Sequence, residues 1–305
     1  MTLAVSKSTP GLADLVDLDA ELRVVADGFA FTEGPAWNPA EGVLRWSDIP
    51  GDTRWRWSEA EGAAVDVHPS HKANGSVFDG HGGLLVCEHA TSSLVRYADG
   101  ARTVIADRYQ GMELNSPNDV ITRSDGTIYF SDPDYGRRDT PTGNGREPSP
   151  LGFKGVFRIA PGGGEPVLVV DRDEFDQPNG LCFSPDESIL YIDDVTGVKA
   201  FEVAPDGSLG PARVLRDDMG TPAGEPRNGA PDGMRCDELG NIWCGAYRGV
   251  WVLDPTGEVL GILEMPEICA NLTWGGADLH TLFLTTSTSL RALRTRVGPA
   301  PLPYH

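Results

Sequence analysis

The sequence is poor in cysteine, in basic residues and in long apolar runs, and each shortage excludes a class of protein. Its five cysteines are widely spaced and include no CxxC pair. This spacing argues against a zinc site built from cysteines and against a disulfide framework. It favours reduced thiols in a cytoplasmic protein. No apolar run approaches the roughly 18 residues that a membrane span needs. The first residues lack a basic flank and a continuous apolar stretch, so we expect no signal peptide.

The charge balance is strongly acidic. There are 25 Lys and Arg against 45 Asp and Glu, a formal net charge of -20. Such a chain repels phosphate groups, so nucleic acid and anionic membranes are poor partners. The 37 glycines and 24 prolines are scattered along the chain. This distribution favours many short strands over long helices.

One sequence pattern occurs six times along the chain. A polar residue is followed by a short apolar strand, a Gly/Asp/Pro turn, a second apolar strand and a further polar residue. The copies begin at Glu33, Asn74, Asn118, Asn179, Asp232 and Asn271. Eleven residues later come Leu44, Leu85, Tyr129, Leu190, Trp243 and Leu282. Six unrelated hairpins would not share this offset, and the spacing of about 40 to 60 residues is typical of four-stranded propeller blades.

The repeat predicts an all-β fold, a six-bladed β-propeller with a metal ion in its central channel. We expect an N-terminal extension over residues 1–20, the propeller over residues 21–297 and a C-terminal tail over residues 298–305. Residues 21–26 should pair with the last blade, because an open propeller would leave strand edges exposed. The polar stretch over residues 137–152 is expected to be a surface loop, with a lid over the channel as the alternative.

The first residues of the six copies should form a ring at one end of the channel, because blades are related by rotation. All six offer carboxylate or amide oxygens, and two carry negative charge. Such a ring would be costly to bury without a neutralising cation. Hard oxygen ligands favour calcium, with magnesium, manganese and zinc as alternatives. Taken singly, each Asn or Asp before glycine could instead be a turn residue.

A second set of residues should return to the same rim, because the second strand of each copy runs antiparallel to the first. Fifteen residues after the ring members lie Asp48, His89, Pro133, Asp194, Tyr247 and Thr286, with Asp132 and Asp193 one place earlier in their copies. These groups could line a catalytic pocket. His89 could equally be a histidine satisfied at a strand end.

Several strings in the chain resemble one known family. They are Thr32-Glu33-Gly34-Pro35, Val86-Cys87-Glu88-His89, Leu114-Asn115-Ser116-Pro117-Asn118-Asp119, Tyr129-Phe130-Ser131-Asp132-Pro133, Pro178-Asn179-Gly180 and Pro231-Asp232-Gly233-Met234. Together, from about residue 22 to about residue 293, they resemble the gluconolactonase/regucalcin (senescence marker protein) family. Ser116 stands where the regucalcin branch has an arginine. The pattern Ser131-Asp132-Pro133-Asp134-Tyr135 is nearer to that of the microbial gluconolactonases.

The resemblance implies a six-bladed propeller that hydrolyses lactones, typically sugar lactones, with calcium or another divalent ion. It implies metal ligation by Glu33, Asn179 and Asp232, with Asn118 at or near the metal. It also implies that Asp232 takes part in proton transfer.

We therefore predict a metal-dependent lactone hydrolase with Asp232 or His89 as the catalytic base. A calcium-dependent phosphotriesterase-like hydrolase and a non-catalytic propeller braced by its metal are the alternatives. The oligomeric state is left open. Substrate contacts are predicted for Asn74, Asn118, Asp132, Tyr135, Tyr247 and Asn271.

Overall fold

Two short strands and one short helix precede the first repeat in the computed structural model, which describes residues 1–301. They are β1 (Ala4–Ser8), α1 (Pro10–Leu15) and β2 (Arg23–Asp27). Pro10 stands at the start of the helix, where its missing N–H is not needed. Leu12 and Leu15 of the helix are buried.

Three four-stranded antiparallel sheets follow along the chain, and they form the first three blades. Blade 1 comprises β3 (Thr32–Asn38), β4 (Val43–Asp48), β5 (Thr53–Ser58) and β6 (Gly62–Val67). Blade 2 comprises β7 (Ala73–Phe78), β8 (Leu84–Glu88), β9 (Ser93–Ala98) and β10 (Ala101–Ala106). A small hairpin, β11 (Arg108–Tyr109) and β12 (Met112–Glu113), leads to blade 3. Blade 3 comprises β13 (Val120–Thr122), β14 (Ile128–Asp132), β15 (Gly155–Ile159) and β16 (Val167–Leu168), with a 3₁₀ turn at Tyr135–Arg137.

The second half of the chain forms blades 4 to 6. Blade 4 comprises β17 (Leu181–Phe183), β18 (Ile189–Asp193), β19 (Val198–Glu202) and β20 (Arg213–Arg216). Blade 5 comprises β21 (Met234–Cys236), β22 (Ile242–Ala246), β23 (Gly249–Leu253) and β24 (Val259–Glu264). Blade 6 comprises β25 (Cys269–Gly275), β26 (Thr281–Thr286) and β27 (Ser289–Arg294).

The N-terminal strands complete the last two blades. β2 pairs antiparallel with β27 and supplies the fourth strand of blade 6, as predicted for residues 21–26. β1 pairs with β24 and gives blade 5 a fifth strand, which the repeat did not predict. The N-terminal segment of the chain therefore closes the propeller.

The six-fold repeat is confirmed by the core. All six residues at the eleven-residue offset lie on the second strand of their blades, and each is fully buried at 0% exposure. They pack in apolar clusters between neighbouring blades. The first strand of each blade contacts the first strands of both neighbours, so these six strands line the channel.

Residues 299 and 300, close to the end of the described part of the chain, pack against blade 5. Pro299 forms a bridge with Asp237, and the Ala300 N–H donates to the Cys236 carbonyl. The predicted tail extends to residue 305, and its last four residues lie outside the described part of the chain. No helix within residues 1–301 is long and apolar enough to cross a membrane.

Candidate active site at the mouth of the channel

The six predicted ring residues lie at the start of the strands that line the channel. Glu33, Asn74 and Asn271 belong to the first strands of their blades, and the other three directly precede theirs. Five of the six are buried, and Asp232 alone is half-buried. Asp232 is therefore the ring residue most open to solvent.

Glycine allows neighbouring blades to approach closely at the ring. A Cβ on Gly34 would lie 2.0 Å from the Asn74 carbonyl oxygen, and one on Gly180 would lie 2.1 Å from that of Asp232. Real Cβ atoms do not tolerate such contacts. The glycine that follows most ring residues in the sequence thus serves to pack the blades around the site.

Two carboxyl groups meet across the ring. Glu33 of blade 1 hydrogen-bonds to Asp232, which precedes blade 5. Asn271 Nδ2 donates to Glu33 Oε2 at 3.0 Å, and Asn179 Nδ2 donates to Asp232 Oδ1 at 2.7 Å. Burial and the charge of Asp119 raise the pKa of Glu33 to about 7. Burial and the charge of Glu33 raise the pKa of Asp232 well above its usual range. Without a cation the pair must share a proton.

Two further buried carboxylates lie near this pair. The repeat predicted that Asp193 returns to the rim, whereas the sequence did not single out Asp119 as a site residue. Asp193 accepts from the Gly180 N–H at 3.1 Å, and burial together with the charge of Asp232 raises its pKa. Burial likewise raises the pKa of Asp119, which lies 3.7 Å from Arg235 Nη1. Asp119 occupies the repeat position that is glycine after Glu33, Asn74, Asn179 and Asp232. This departure from the repeat is the feature of the sequence that could have identified Asp119 as a site residue.

His89 is fully enclosed beneath the ring residue Asn74. Its Nε2 lies 3.0 Å from Asn74 Nδ2, and its Nδ1 lies 3.1 Å from the Thr142 carbonyl oxygen. Burial lowers the pKa of His89 to about 4, so the imidazole is neutral near pH 7. The Asn74 Oδ1 atom is buried and has no hydrogen-bond partner within residues 1–301.

These features fit a hard divalent cation. Buried carboxylates with raised pKa values and an unpartnered buried amide oxygen are groups that a cation would satisfy. Within residues 1–301 no three carboxylate, imidazole or thiol groups converge as metal ligands. A cation at the ring would therefore need amide oxygens beside the Glu33 and Asp232 carboxylates.

The family model described as SMP-30/Gluconolactonase/LRE-like region matches residues 31–288. The chain belongs to this family. Its sequence is 27% identical to the gluconolactonase of Zymomonas mobilis, covering 96% of this chain and 86% of that protein.

Solved structures show the same architecture. A gluconolactonase of Xanthomonas campestris is 32% identical, with a TM-score of 0.86, covering 97% of this chain and 95% of that one. A calcium-binding regucalcin of Agrobacterium tumefaciens shares the fold at 20% identity and a TM-score of 0.74, covering 94% of this chain and 98% of that one.

Other predicted site residues of this family member occupy different surroundings. Tyr135 is half-buried near Asp232 and Asp193, whose charges, after burial, raise its pKa. The Arg138 guanidinium stacks on its ring at 4.7 Å. Tyr247 instead donates its hydroxyl to Glu225. Tyr135 is therefore the tyrosine that shares the electrostatic environment of the ring.

Three aspartates at the ends of second strands, here called the clamp aspartates, hold backbone rather than face the ring. Each accepts from the N–H groups three and two residues before a ring residue. Asp48 accepts from the N–H groups of Ala30 and Phe31, Asp132 from those of Asn115 and Ser116, and Asp194 from those of Asp176 and Gln177. Asp132 has no exposed surface, and burial raises its pKa to about 7. In this arrangement Asp132 supports the segment before Asn118.

The loop over residues 137–152 is anchored beside the ring by Arg137. This buried guanidinium donates to the Asn115 and Leu114 carbonyls and pairs with Glu113 at 2.6 Å. The Asn144 side chain donates to the His89 carbonyl at 3.2 Å. The loop thus forms a fixed wall over His89.

Proposed function

We propose that this protein is a divalent-cation-dependent hydrolase that opens the ester ring of a lactone, with a sugar lactone as substrate and calcium as the preferred ion. The observation that carries the proposal is the contact between the Glu33 and Asp232 carboxyls inside a ring of amide oxygens. Membership of the family and similarity to gluconolactonases support the same chemistry. The relative from Agrobacterium tumefaciens is itself a calcium-binding protein.

Glu33, Asn118, Asn179 and Asp232 would hold the cation. When bound, such an ion polarises an ester carbonyl and stabilises negative charge that develops on its oxygen. The amide groups of Asn179 and Asn271 already fix the two carboxylates by donating to them. The chain therefore presents oriented oxygen donors before any ligand arrives.

Asp232 is the better candidate for the catalytic base. It is half-buried whereas the other five ring residues are buried, so it is the ring residue most open to solvent. His89 is 1% exposed, and both of its ring nitrogens have partners. We therefore assign acceptance of the water proton to the carboxylate of Asp232.

Tyr135 would donate to a substrate oxygen. Burial, with a smaller contribution from the charges of Asp232 and Asp193, raises its pKa and keeps the phenol protonated at neutral pH. A phenol in this state is a hydrogen-bond donor to lactone hydroxyl or carbonyl oxygens.

The test is a substrate panel on chelator-treated protein with and without added calcium. We expect hydrolysis of glucono-δ-lactone and related sugar lactones, loss of activity after chelation and recovery with calcium. Preferential cleavage of a phosphotriester would favour the phosphotriesterase-like alternative. Absence of turnover on every substrate, with calcium bound, would favour a binding propeller.

A further inference from the structure

Two hydrogen bonds link three groups in succession at the ring: the carbonyl of half-buried Thr142, the buried His89 imidazole and the buried Asn74 amide. A carbonyl oxygen can only accept, so His89 Nδ1 must carry the hydrogen in this contact. The neutral ring then has a lone pair on Nε2, which accepts from Asn74 Nδ2. Thr142 therefore determines, through His89, which way the Asn74 amide faces.

This orientation leaves the Asn74 amide oxygen without a partner. Asn74 is only 3% exposed, and its Oδ1 atom is buried and has no hydrogen-bond partner within residues 1–301. A buried oxygen without a hydrogen bond costs free energy unless a ligand satisfies it. The reversed amide would place Oδ1 against the lone pair of His89 Nε2, so the chain cannot relieve the cost by a flip.

Asn271, another ring amide, has a different arrangement of its side-chain oxygen. Both residues use Nδ2 to donate within the site, Asn74 to His89 and Asn271 to Glu33. The Asn271 Oδ1 atom, however, accepts from the Leu272 N–H at 2.8 Å. Of these two ring amides, only Asn74 keeps its oxygen available for a ligand.

We propose that Asn74 Oδ1 is an additional oxygen donor to the ring cation, and that His89 is the positioning residue that holds the Asn74 amide in the donating orientation. This inference rests on the proposed function, because it requires the ring to bind a cation. It gives His89 a role that acts through Asn74 rather than on the substrate. The partners of a metal ligand commonly act in this way.

The test is a double-mutant cycle read by calorimetric titration of calcium into chelator-treated protein. We expect Asn74→Ala and His89→Leu each to weaken calcium binding by about 10–100-fold. The double variant should bind no more weakly than Asn74→Ala, because His89 then has nothing to orient. His89→Gln, whose side-chain oxygen can accept from Asn74 Nδ2, should recover part of the affinity. His81→Leu, at an exposed turn, is the control and should bind as the parent does.

A second readout separates ligation of the cation from contact with the substrate. At saturating calcium, Asn74→Ala should keep the parental KM for the lactone. A raised KM with unchanged calcium affinity would overturn the assignment and make Asn74 a substrate contact. If His89→Leu does not fold, as judged by circular dichroism, the His89→Gln and Asn74→Ala variants complete the cycle.

The other outcomes of the calcium titrations also test the roles of Asn74 and His89. Losses that multiply in the double variant would show that His89 acts independently of Asn74 and would overturn the positioning role. Parental calcium binding that no variant changes would overturn this inference alone. A parent that binds no divalent cation would overturn the proposed function, and this inference with it.

Discussion

The ring residues and the clamp aspartates are both acidic or amide groups repeated in phase through the blades, yet their surroundings are opposite. Each clamp aspartate accepts from two consecutive backbone N–H groups, so its oxygens are satisfied by the fold. In the ring, two carboxyls face each other and one amide oxygen has no partner within residues 1–301. Residues that the fold satisfies stabilise it, whereas residues that it leaves unsatisfied are available for a ligand.

The largest effect should come from replacing one carboxylate of the ring. Asp232→Asn removes the proton acceptor and one charged ligand, and we expect kcat/KM to fall by roughly 10³-fold or more. The metal-free variant should be at least as thermally stable as the parent, because the contact between two carboxyls is relieved. Activity assays and thermal unfolding check both points. Asp19→Asn makes the same charge change at an exposed position and should alter neither.

A change in the spacing of the blades should reduce activity less. Gly180→Ala places a Cβ 2.1 Å from the Asp232 carbonyl oxygen and 2.8 Å from Asp193 Oδ2. Blades 4 and 5 must shift, and a displacement of about 1 Å can cost roughly 10²-fold in rate. Gly210→Ala meets nothing closer than 3.6 Å and is the matched control. Parental kinetics in Gly180→Ala would show that the ring tolerates movement.

Calcium binding should also depend on pH through the Glu33 carboxyl of the ring. A Glu33 carboxyl with a pKa of about 7 in the metal-free protein is protonated below that pH, so a cation must displace the proton. Calcium binding should therefore be roughly tenfold weaker at pH 6 than at pH 8. Titration in buffers of different ionisation enthalpy should detect the released proton. Equal affinity at both pH values would show that Glu33 is ionised before binding.

The same raised pKa affects stability with a definite sign. Between the unfolded pKa and about 7, the folded protein holds a proton on Glu33 that the unfolded chain has lost. This group therefore makes the metal-free protein less stable as pH rises towards 8. Added calcium should reverse that loss.

The smallest effect on catalysis should come from a clamp aspartate. Asp48→Ala leaves the Ala30 and Phe31 N–H groups without their acceptor, which should lower the free energy of unfolding by about 1–3 kcal/mol. Turnover should stay within about twofold of the parent, measured beside urea denaturation. A large loss of turnover at parental stability would place Asp48 in the active site and remove the distinction between the two sets.

The sequence was sufficient for the blades because apolar residues at a fixed offset report burial directly. Leu44 and its five counterparts are all fully buried, and the pairing of β2 with β27 was predicted from the need to close the ring. The pairing of β1 with β24 was not, because this strand lies outside the repeat and its residues are mostly exposed.

The site was harder to predict because a side chain's role depends on its partners. The offset of about fifteen residues grouped His89 with Asp48 and Asp194, but His89 supports a ring amide whereas the aspartates hold backbone. Thr142, which fixes the tautomer of His89, lies in a long loop with no repeat to locate it. Glu33 and Asp232 were found together because they occupy the same phase.

The most direct test of the account is the stoichiometry of calcium binding to chelator-treated protein. We predict that the parent binds one equivalent of calcium. A variant carrying both Glu33→Gln and Asp232→Asn should bind none, while circular dichroism shows that it is folded. A parent that binds no calcium, or a double variant that binds one equivalent as tightly as the parent, would contradict the claim that the ring is a cation site.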